Sequence, residues 1–235
     1  MDKKQDIIYP RFAERQLREA IEDTPVVVIH GPRQCGKSTL ALMLSDTDEY
    51  KYFTFDDDTV MAAAKLDPLG FCLRLPSKAI IDEVQRVPSI FTAIKYIVDQ
   101  NRIPGRLVLT GSSDAMSMPQ IGESLAGRVE IIRLHPFAQT ELRTEQENQT
   151  LLYHIYNGSF VTLTNRSYPR LGQKLSELIV KGSFPPALQR NKERRVQRWY
   201  AEYTQALVQR DIHQLAEIRK AETVPKLVRL KYHFS

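Results

Sequence analysis

The sequence has little cysteine and no long apolar run, and both absences narrow the class of protein. Only two of its 235 residues are cysteine, Cys35 and Cys72, and their positions give no metal-ligand spacing. No apolar stretch approaches the roughly 20 residues that a transmembrane helix requires, and the polar residues 1–6 have no apolar signal core behind them. We therefore expect a cytoplasmic protein with free thiols and no membrane association.

The composition and the order of the predicted elements indicate an α/β fold. With 42% hydrophobic and 26% charged residues, the chain can bury a full core. A helix from Phe12 to Glu22 precedes five strands separated by helical segments, and this alternation indicates a parallel sheet covered on both faces. The predicted strands are Val26 to His30, Lys51 to Phe55, Ala79 to Asp82, Arg106 to Thr110 and Val129 to Leu134.

The segment from Gly31 to Ser38 reads G-x-x-x-x-G-K-S and lies between the first strand and a helical pattern. The two glycines allow a tight loop whose N–H groups point inward at phosphates, and the next helix adds its positive end. Lys37 supplies a charge for the β- and γ-phosphates, and the Ser38 hydroxyl is placed to ligate Mg²⁺. The predicted nucleotide-binding residues are Gly31, Pro32, Arg33, Gln34, Cys35, Gly36, Lys37, Ser38 and Thr39.

Two carboxylates, Asp82 and Glu83, end the third strand, in the manner of a Walker B site. Ligands gather at the carboxyl ends of strands in open α/β sheets. We expect Asp82 to hold Mg²⁺ and Glu83 to activate the attacking water. The alternative is a strand that simply ends in solvent.

Two further groups are candidates for contact with the γ-phosphate. The strand up to Thr110 leads into Gly111 and Ser112, so Thr110 or Ser112 can sense that phosphate, or belong to an ordinary turn. Arg128 comes just before the fifth strand, and an arginine there can stabilise the charge of the transferred phosphoryl group in its own subunit or across an interface. The alternative is a surface arginine that caps the preceding helix.

These motifs together resemble a family of prokaryotic AAA-type ATP-binding proteins with a C-terminal domain of unknown function. The resemblance rests on the segments Gly31–Ser38, Ile80–Pro88, Leu109–Ser112 and Ser124–Val129, and more weakly on Lys181–Pro185 and on Tyr203 with Arg210-Asp211. It implies a P-loop NTPase three-layer sandwich with strand order 5-1-4-3-2, followed by a mainly helical appendage. It also implies ATP and Mg²⁺ as cofactors and ATP hydrolysis as the activity.

The resemblance also suggests how the chain is divided. We expect an ATPase core over residues 1–140, a helical lid over 141–218 and the start of a shortened C-terminal domain over 219–235. Members of the family continue beyond this length, so we expect whatever their last region does to be missing here. Three alternatives stay open: a switch driven by hydrolysis, a nucleotide-gated interaction module with little turnover, and a nucleic-acid-associated ATPase. The protein client is not identified.

Three local predictions concern charged residues. The segment Arg190–Tyr200 is crowded with cations and can grip nucleic-acid phosphates, although a solvated helix face is the commoner explanation. Cys35 lies beside Lys37 and a helix N-terminus, so we expect a favoured thiolate that ATP protects from alkylation. If Arg128 acts in trans, the active form is a homo-oligomer.

Overall fold

The computed structural model describes residues 9–112, 125–142 and 173–215. The strands are β1 (Val26–His30), β2 (Lys51–Thr54), β3 (Ala79–Asp82), β4 (Leu107–Gly111) and β5 (Val129–Arg133). The helices are α1 (Phe12–Asp23), α2 (Lys37–Thr47), α3 (Asp58–Leu66), α4 (Pro68–Arg74), α5 (Ile90–Gln100), α6 (Gln173–Lys181), α7 (Pro185–Leu188) and α8 (Glu193–Leu215), with a 3₁₀ turn at Val84–Arg86.

The five strands form one parallel sheet in the order β2-β3-β4-β1-β5. Val28 of β1 lies between Leu109 of β4 and Ile131 of β5. Parallel neighbours need crossover connections, and the helices α2 to α5 lie in the connections that join β1, β2, β3 and β4. The observed order is the predicted 5-1-4-3-2 order, and every predicted strand is present with its ends shifted by no more than one residue.

The two faces of the sheet bury different side chains, as the two-residue period of a strand requires. Val26 and Val28 belong to the apolar cluster that packs against α4 and α5. Val27 and Ile29 belong to a second cluster, which includes residues of α1 and α2. A helical layer therefore covers each face, and the three-layer α/β/α architecture predicted from the sequence is confirmed.

Local signals in the sequence explain where several helices begin. The Asp57 carboxylate accepts hydrogen bonds from the amides of Thr59 and Val60 at the start of α3. Asp67 accepts from Gly70 N in the same way, and Pro68 occupies the first position of α4, where its missing N–H costs nothing. These caps fix where α3 and α4 begin, and α3 packs beside the edge strand β2.

The helices α6 to α8 are joined to the core through residues 134–142 and through the P-loop. The amide of Phe137 donates to Ser183 O at 2.9 Å. An aromatic cluster, defined here as Phe184, Trp199, Tyr200 and Tyr203, packs between α7 and α8. The domain boundaries proposed above stay predictions, and residues 219–235 lie outside the described residues. None of the helices in the described ranges is long and apolar enough to span a membrane.

Candidate nucleotide-binding site

The loop from Gly31 to Gly36 follows the carboxyl end of β1 and leads directly into α2. A Cβ on Gly31 would lie 2.0 Å from the carbonyl oxygen of Leu134, so only glycine fits there. Gly36 has φ +100° and Gln34 has φ +60°, both in the left-handed region that glycine adopts most easily. The predicted nucleotide-binding residues thus form one continuous loop and the first turn of α2, as expected for a phosphate cradle at a helix N-terminus.

Lys37 is buried, and its ammonium group is turned back onto the loop. Its Nζ donates to Gly31 O at 3.1 Å and to Pro32 O at 2.9 Å. An ammonium group has three donors and no acceptor, so two of these donors are directed to the loop carbonyls. The positive charge of Lys37 is therefore held at the mouth of the cradle.

Asp82, at the end of β3, is surrounded by hydroxyl groups. Ser38 Oγ lies 2.9 Å from its Oδ1 and 3.0 Å from its Oδ2. Tyr52 donates to Oδ2 at 2.6 Å, and the Thr110 hydroxyl also donates to the carboxylate. Asp82 is 5% exposed, so these donors satisfy a charge that would be costly to bury alone. The structure brings Ser38, Asp82 and Thr110 together, while their roles toward a metal ion and a phosphate stay predictions.

Glu83 follows Asp82 in the left-handed conformation, with φ 56° and ψ 41°. Its amide donates to Thr110 Oγ1 at 3.2 Å, and its carboxylate accepts a hydrogen bond from the Gln85 side chain. The same Gln85 amide nitrogen lies 3.4 Å from Ser112 Oγ. A non-glycine residue in this conformation costs about 1 to 3 kcal/mol, and such strain is a pointer to function. Glu83, Thr110 and Ser112 therefore lie together at the carboxyl ends of β3 and β4.

Tyr52 is a member of this cluster that the sequence analysis missed. It lies on β2, next to β3, and its ring reaches Asp82 from the neighbouring strand. Burial raises the pKa of Tyr52 well above its ordinary value, and the hydrogen bond to Asp82 raises it further. The phenol is therefore a neutral donor. Once the strand order places β2 beside β3, a tyrosine two positions from the end of β2 is a recognisable candidate.

Arg128 lies at the opposite end of the strands from the P-loop. Val26 pairs with Val129 at the amino ends of β1 and β5, whereas the P-loop follows the carboxyl end of β1. The five residues of β1 separate its amino and carboxyl ends by about 16 Å, which exceeds the reach of an arginine side chain. Arg128 instead donates to Asp99 at 2.5 and 3.0 Å and to Ala126 O at 2.8 Å. The alternative in which Arg128 reaches the phosphates of its own subunit is therefore wrong, while a role in trans stays a prediction.

The predicted thiolate at Cys35 is also corrected. The side chain is fully buried and its Sγ lies 3.5 Å from Leu134 O. Burial raises the pKa of the Cys35 thiol, and this effect outweighs the nearby charges of Lys37 and Arg11. The sequence showed the nearby charges but not that the side chain points away from the phosphates into the core.

The outer face of the P-loop contacts two residues to which sequence reasoning assigned no role, although Tyr203 belongs to one segment of the family resemblance. Arg11 Nη1 donates to Cys35 O at 3.0 Å, and the hydroxyl of Tyr203 on α8 donates to Arg33 O at 3.1 Å. Arg11 also pairs with Glu141 at 3.3 Å, with both side chains buried. No motif spacing links these residues, because they are distant in sequence and meet only through the fold.

The basic segment Arg190–Tyr200 is partly engaged with the protein itself. Arg190 donates to Pro186 O and lies over the Trp199 ring. Arg198 pairs with Glu202 at 2.8 Å on the exposed face of α8. These contacts suit a solvated helix face, and nucleic-acid binding stays a prediction.

The residues present at this site fit a nucleotide with Mg²⁺. A carboxylate and a hydroxyl, Asp82 and Ser38, are hard oxygen ligands, and Mg²⁺ completes its shell with waters and phosphates rather than with an all-protein cage. In the described part of the chain no group of three or more His, Cys, Asp or Glu side chains could hold a metal ion. Gln85 Oε1 is buried without a hydrogen-bond partner among the described residues, which leaves an acceptor beside Glu83.

The sheet order, the glycine loop and the clustered strand ends define an AAA-type P-loop NTPase fold. Residues 23–143, slightly more than half of the chain, match the family described as AAA domain. The chain therefore belongs to this family. Residues 172–233 match a second family, described as a domain of unknown function, DUF8612.

The chain is also similar to individual proteins over part of their length. An uncharacterized protein of Mycobacterium tuberculosis is 36% identical over 129 residues, which are 54% of this chain and 29% of that protein. A protein of Mycobacterium bovis gives the same figures. The match thus covers less than a third of the length of these relatives. The Walker-type ATPase PABY2304 of Pyrococcus abyssi is 14% identical, with a TM-score of 0.50, and the alignment covers 91% of this chain and 77% of that chain; at this identity it supports the fold alone.

Proposed function

We propose that the protein binds and hydrolyses ATP with Mg²⁺, and that hydrolysis switches its conformation. The observation that carries the proposal is the meeting of Ser38, Asp82 and Thr110 within hydrogen-bond distance at the mouth of the P-loop. Phosphoryl transfer to water needs little covalent help from a protein, because it depends on positioning and on charge stabilisation. These are the two properties that the site offers.

Each residue has a defined task in this proposal. The inward amides of the loop and the Lys37 ammonium bind the phosphates, and Ser38 and Asp82 hold the metal ion. Bound Mg²⁺ neutralises charge that develops on the phosphate oxygens. Glu83 takes a proton from the attacking water, while Ser112, or Thr110 once its hydroxyl turns from Asp82, donates to the γ-phosphate or to that water.

Two structural features support Glu83 as the base. Its backbone is held by the Thr110 hydroxyl, and its carboxylate is held by Gln85. A general base must be kept within hydrogen-bond reach of the proton it abstracts. The carboxylate of Glu83 is accordingly restrained from two sides rather than left at a free strand end.

Nucleotide binding is tested first by calorimetric titration of the protein with ATP, once with Mg²⁺ and once with EDTA. The proposal expects binding that Mg²⁺ tightens and that Lys37→Ala weakens by roughly 10-fold or more, because a charge-assisted phosphate contact is lost. Lys95→Ala, on the far side of the sheet in α5, is the matched control. Equal affinities for wild type and Lys37→Ala would contradict the assignment.

The role of Arg128 in trans is the remaining part of the proposal. A half-buried arginine at the amino end of β5, released from Asp99, can reach a second subunit, where it would stabilise the transferred phosphoryl group. Specific activity should then rise with protein concentration in the wild type and stay flat in Arg128→Ala. If specific activity does not change with protein concentration in either protein, Arg128 does not act on the phosphates of a second subunit.

A further inference from the structure

Two carbonyl groups on the outer face of the P-loop accept hydrogen bonds from side chains outside the loop. The Tyr203 hydroxyl lies 3.1 Å from Arg33 O, across 170 positions of sequence. Arg11 Nη1 lies 3.0 Å from Cys35 O. The loop therefore has a donor from α8 on one peptide unit and a donor from the residue before α1 on another.

Peptide geometry gives these contacts a consequence for phosphate binding. In a planar trans peptide the C=O and N–H bonds point in opposite directions. A carbonyl of Arg33 that is held toward Tyr203 therefore directs the amide of Gln34 away from α8. In the same way, the bond from Arg11 to Cys35 O directs the Gly36 amide away from Arg11.

The loop conformation needs such support. Gln34 has φ +60° without being a glycine, and this conformation is unfavourable for a residue with a Cβ. The hydrogen bond that the preceding carbonyl, Arg33 O, accepts from Tyr203 stabilises this conformation. The two external donors thus favour the arrangement in which successive amides face an anion.

The position of the Tyr203 hydroxyl is set by the packing of α8. Its ring stacks on Trp199, with centroids 5.0 Å apart and planes within 15° of parallel. It also contacts the Phe184 ring at 5.1 Å. A shift of α8 against α7 would therefore move the donor away from the P-loop.

We propose that Tyr203 is a positioning residue for nucleotide binding, through which the packing of α8 sets the orientation of the P-loop amides. The proposal rests on the nucleotide binding proposed above. Coupling of this kind is reciprocal, so a nucleotide that orders the loop also favours the hydrogen bond to Tyr203. Bound nucleotide then tightens the packing of the aromatic cluster.

The affinity test uses Tyr203→Phe, which removes the hydroxyl and keeps the stacked ring. The matched control is Tyr200→Phe, since Tyr200 lies in the same cluster but donates to Lys181 O at 3.1 Å. Loss of one hydrogen bond predicts about a 5-fold weaker Kd for Mg·ADP in Tyr203→Phe. Tyr200→Phe should bind as the wild type does. Equal affinities of Tyr203→Phe and wild type would overturn the proposal.

The coupling test uses Trp199, which is the single tryptophan of the chain. Its emission should change when Mg·ADP binds to the wild type and to Tyr200→Phe, and the change should be much smaller in Tyr203→Phe at saturating nucleotide. An unchanged emission in a wild type that binds nucleotide by calorimetry would overturn the coupling. Failure of the wild type to bind by calorimetry would instead refute the proposed function, and this inference with it.

Discussion

The Ser38 hydroxyl and the Asp82 carboxylate are in direct contact, with Ser38 Oγ 2.9 Å from Asp82 Oδ1. This contact joins the first turn of α2 to the end of β3, across 44 positions of sequence. It brings together the two side chains whose oxygens suit Mg²⁺. The contact is therefore where the proposed metal dependence can be tested.

Replacement of Asp82 by Asn should remove the effect of Mg²⁺ on nucleotide affinity. An amide keeps the shape of the side chain but lacks the charge that a divalent cation needs, so the tightening by Mg²⁺ should fall by roughly 10-fold or more. Calorimetric titration with ATP in Mg²⁺ and in EDTA measures this ratio. Asp58→Asn is the control, because Asp58 is exposed in the first turn of α3. A full Mg²⁺ effect in Asp82→Asn would place the metal elsewhere.

Replacement of Gln85 by Ala should lower turnover without lowering affinity. Gln85 donates to the Glu83 carboxylate, and a misplaced catalytic group can cost roughly 10- to 100-fold in rate. Steady-state phosphate release gives kcat, and calorimetry gives the Kd for ATP. The exposed Gln100→Ala at the end of α5 controls for general effects. A rise in kcat would instead mean that Gln85 restrains Glu83 in an inactive position.

Both cysteines should resist alkylation in the folded protein. Burial raises the pKa of Cys72 to about 12 and also raises that of Cys35, so the reactive thiolate is scarce at pH 8. Mass spectrometry after iodoacetamide treatment should show slow labelling of both residues, and rapid labelling after denaturation. Rapid labelling of Cys35 in the native state that ATP blocks would contradict this prediction and support the reactive thiolate that the sequence suggested.

The fold should lose stability in alkaline solution through Tyr50. Its hydroxyl donates to Gly105 O at 2.6 Å, and burial, with the charge of Asp48, raises its pKa to about 12. Because the folded pKa exceeds the unfolded value of about 10, this contribution is complete below pH 10 and is lost as the pH rises toward 12. Its size is on the order of 2 kcal/mol.

Urea unfolding of the wild type and of Tyr50→Phe from pH 8 to 11.5 measures this contribution. The difference in free energy of unfolding between the two proteins should shrink as the pH rises. Tyr96→Phe is the control, since Tyr96 is 49% exposed. A difference that does not vary with pH would contradict the assignment to Tyr50.

The sequence predicted the sheet and the motif residues because both depend on local pattern. Apolar strands that alternate with helical segments indicate a parallel sheet, and the residues from Gly31 to Ser38 satisfy a spacing that phosphate binding imposes. The closeness of Asp82 and Thr110 could be predicted because parallel strands bring their carboxyl ends to the same end of the sheet.

What the sequence could not predict depends on side-chain direction and on distant packing. Tyr52 reaches Asp82 only because β2 lies beside β3, and Arg11 and Tyr203 meet the P-loop only in the folded chain. Cys35 points into the core, which reverses the effect that its charged neighbours suggested. Arg128 directly precedes β5, which pairs with the strand that leads into the P-loop. It lies at the amino end of β5, however, and the P-loop lies at the carboxyl end of β1.

The most direct test of the account is steady-state phosphate release from Mg·ATP by the wild type and by Glu83→Gln, with ATP binding measured for both. The account predicts turnover in the wild type and a loss of roughly 100-fold or more in Glu83→Gln, the share that a general base supplies, with ATP still bound. Turnover that survives in Glu83→Gln would contradict Glu83 as the base. Binding without turnover in either protein would contradict hydrolysis and leave a nucleotide-gated interaction module.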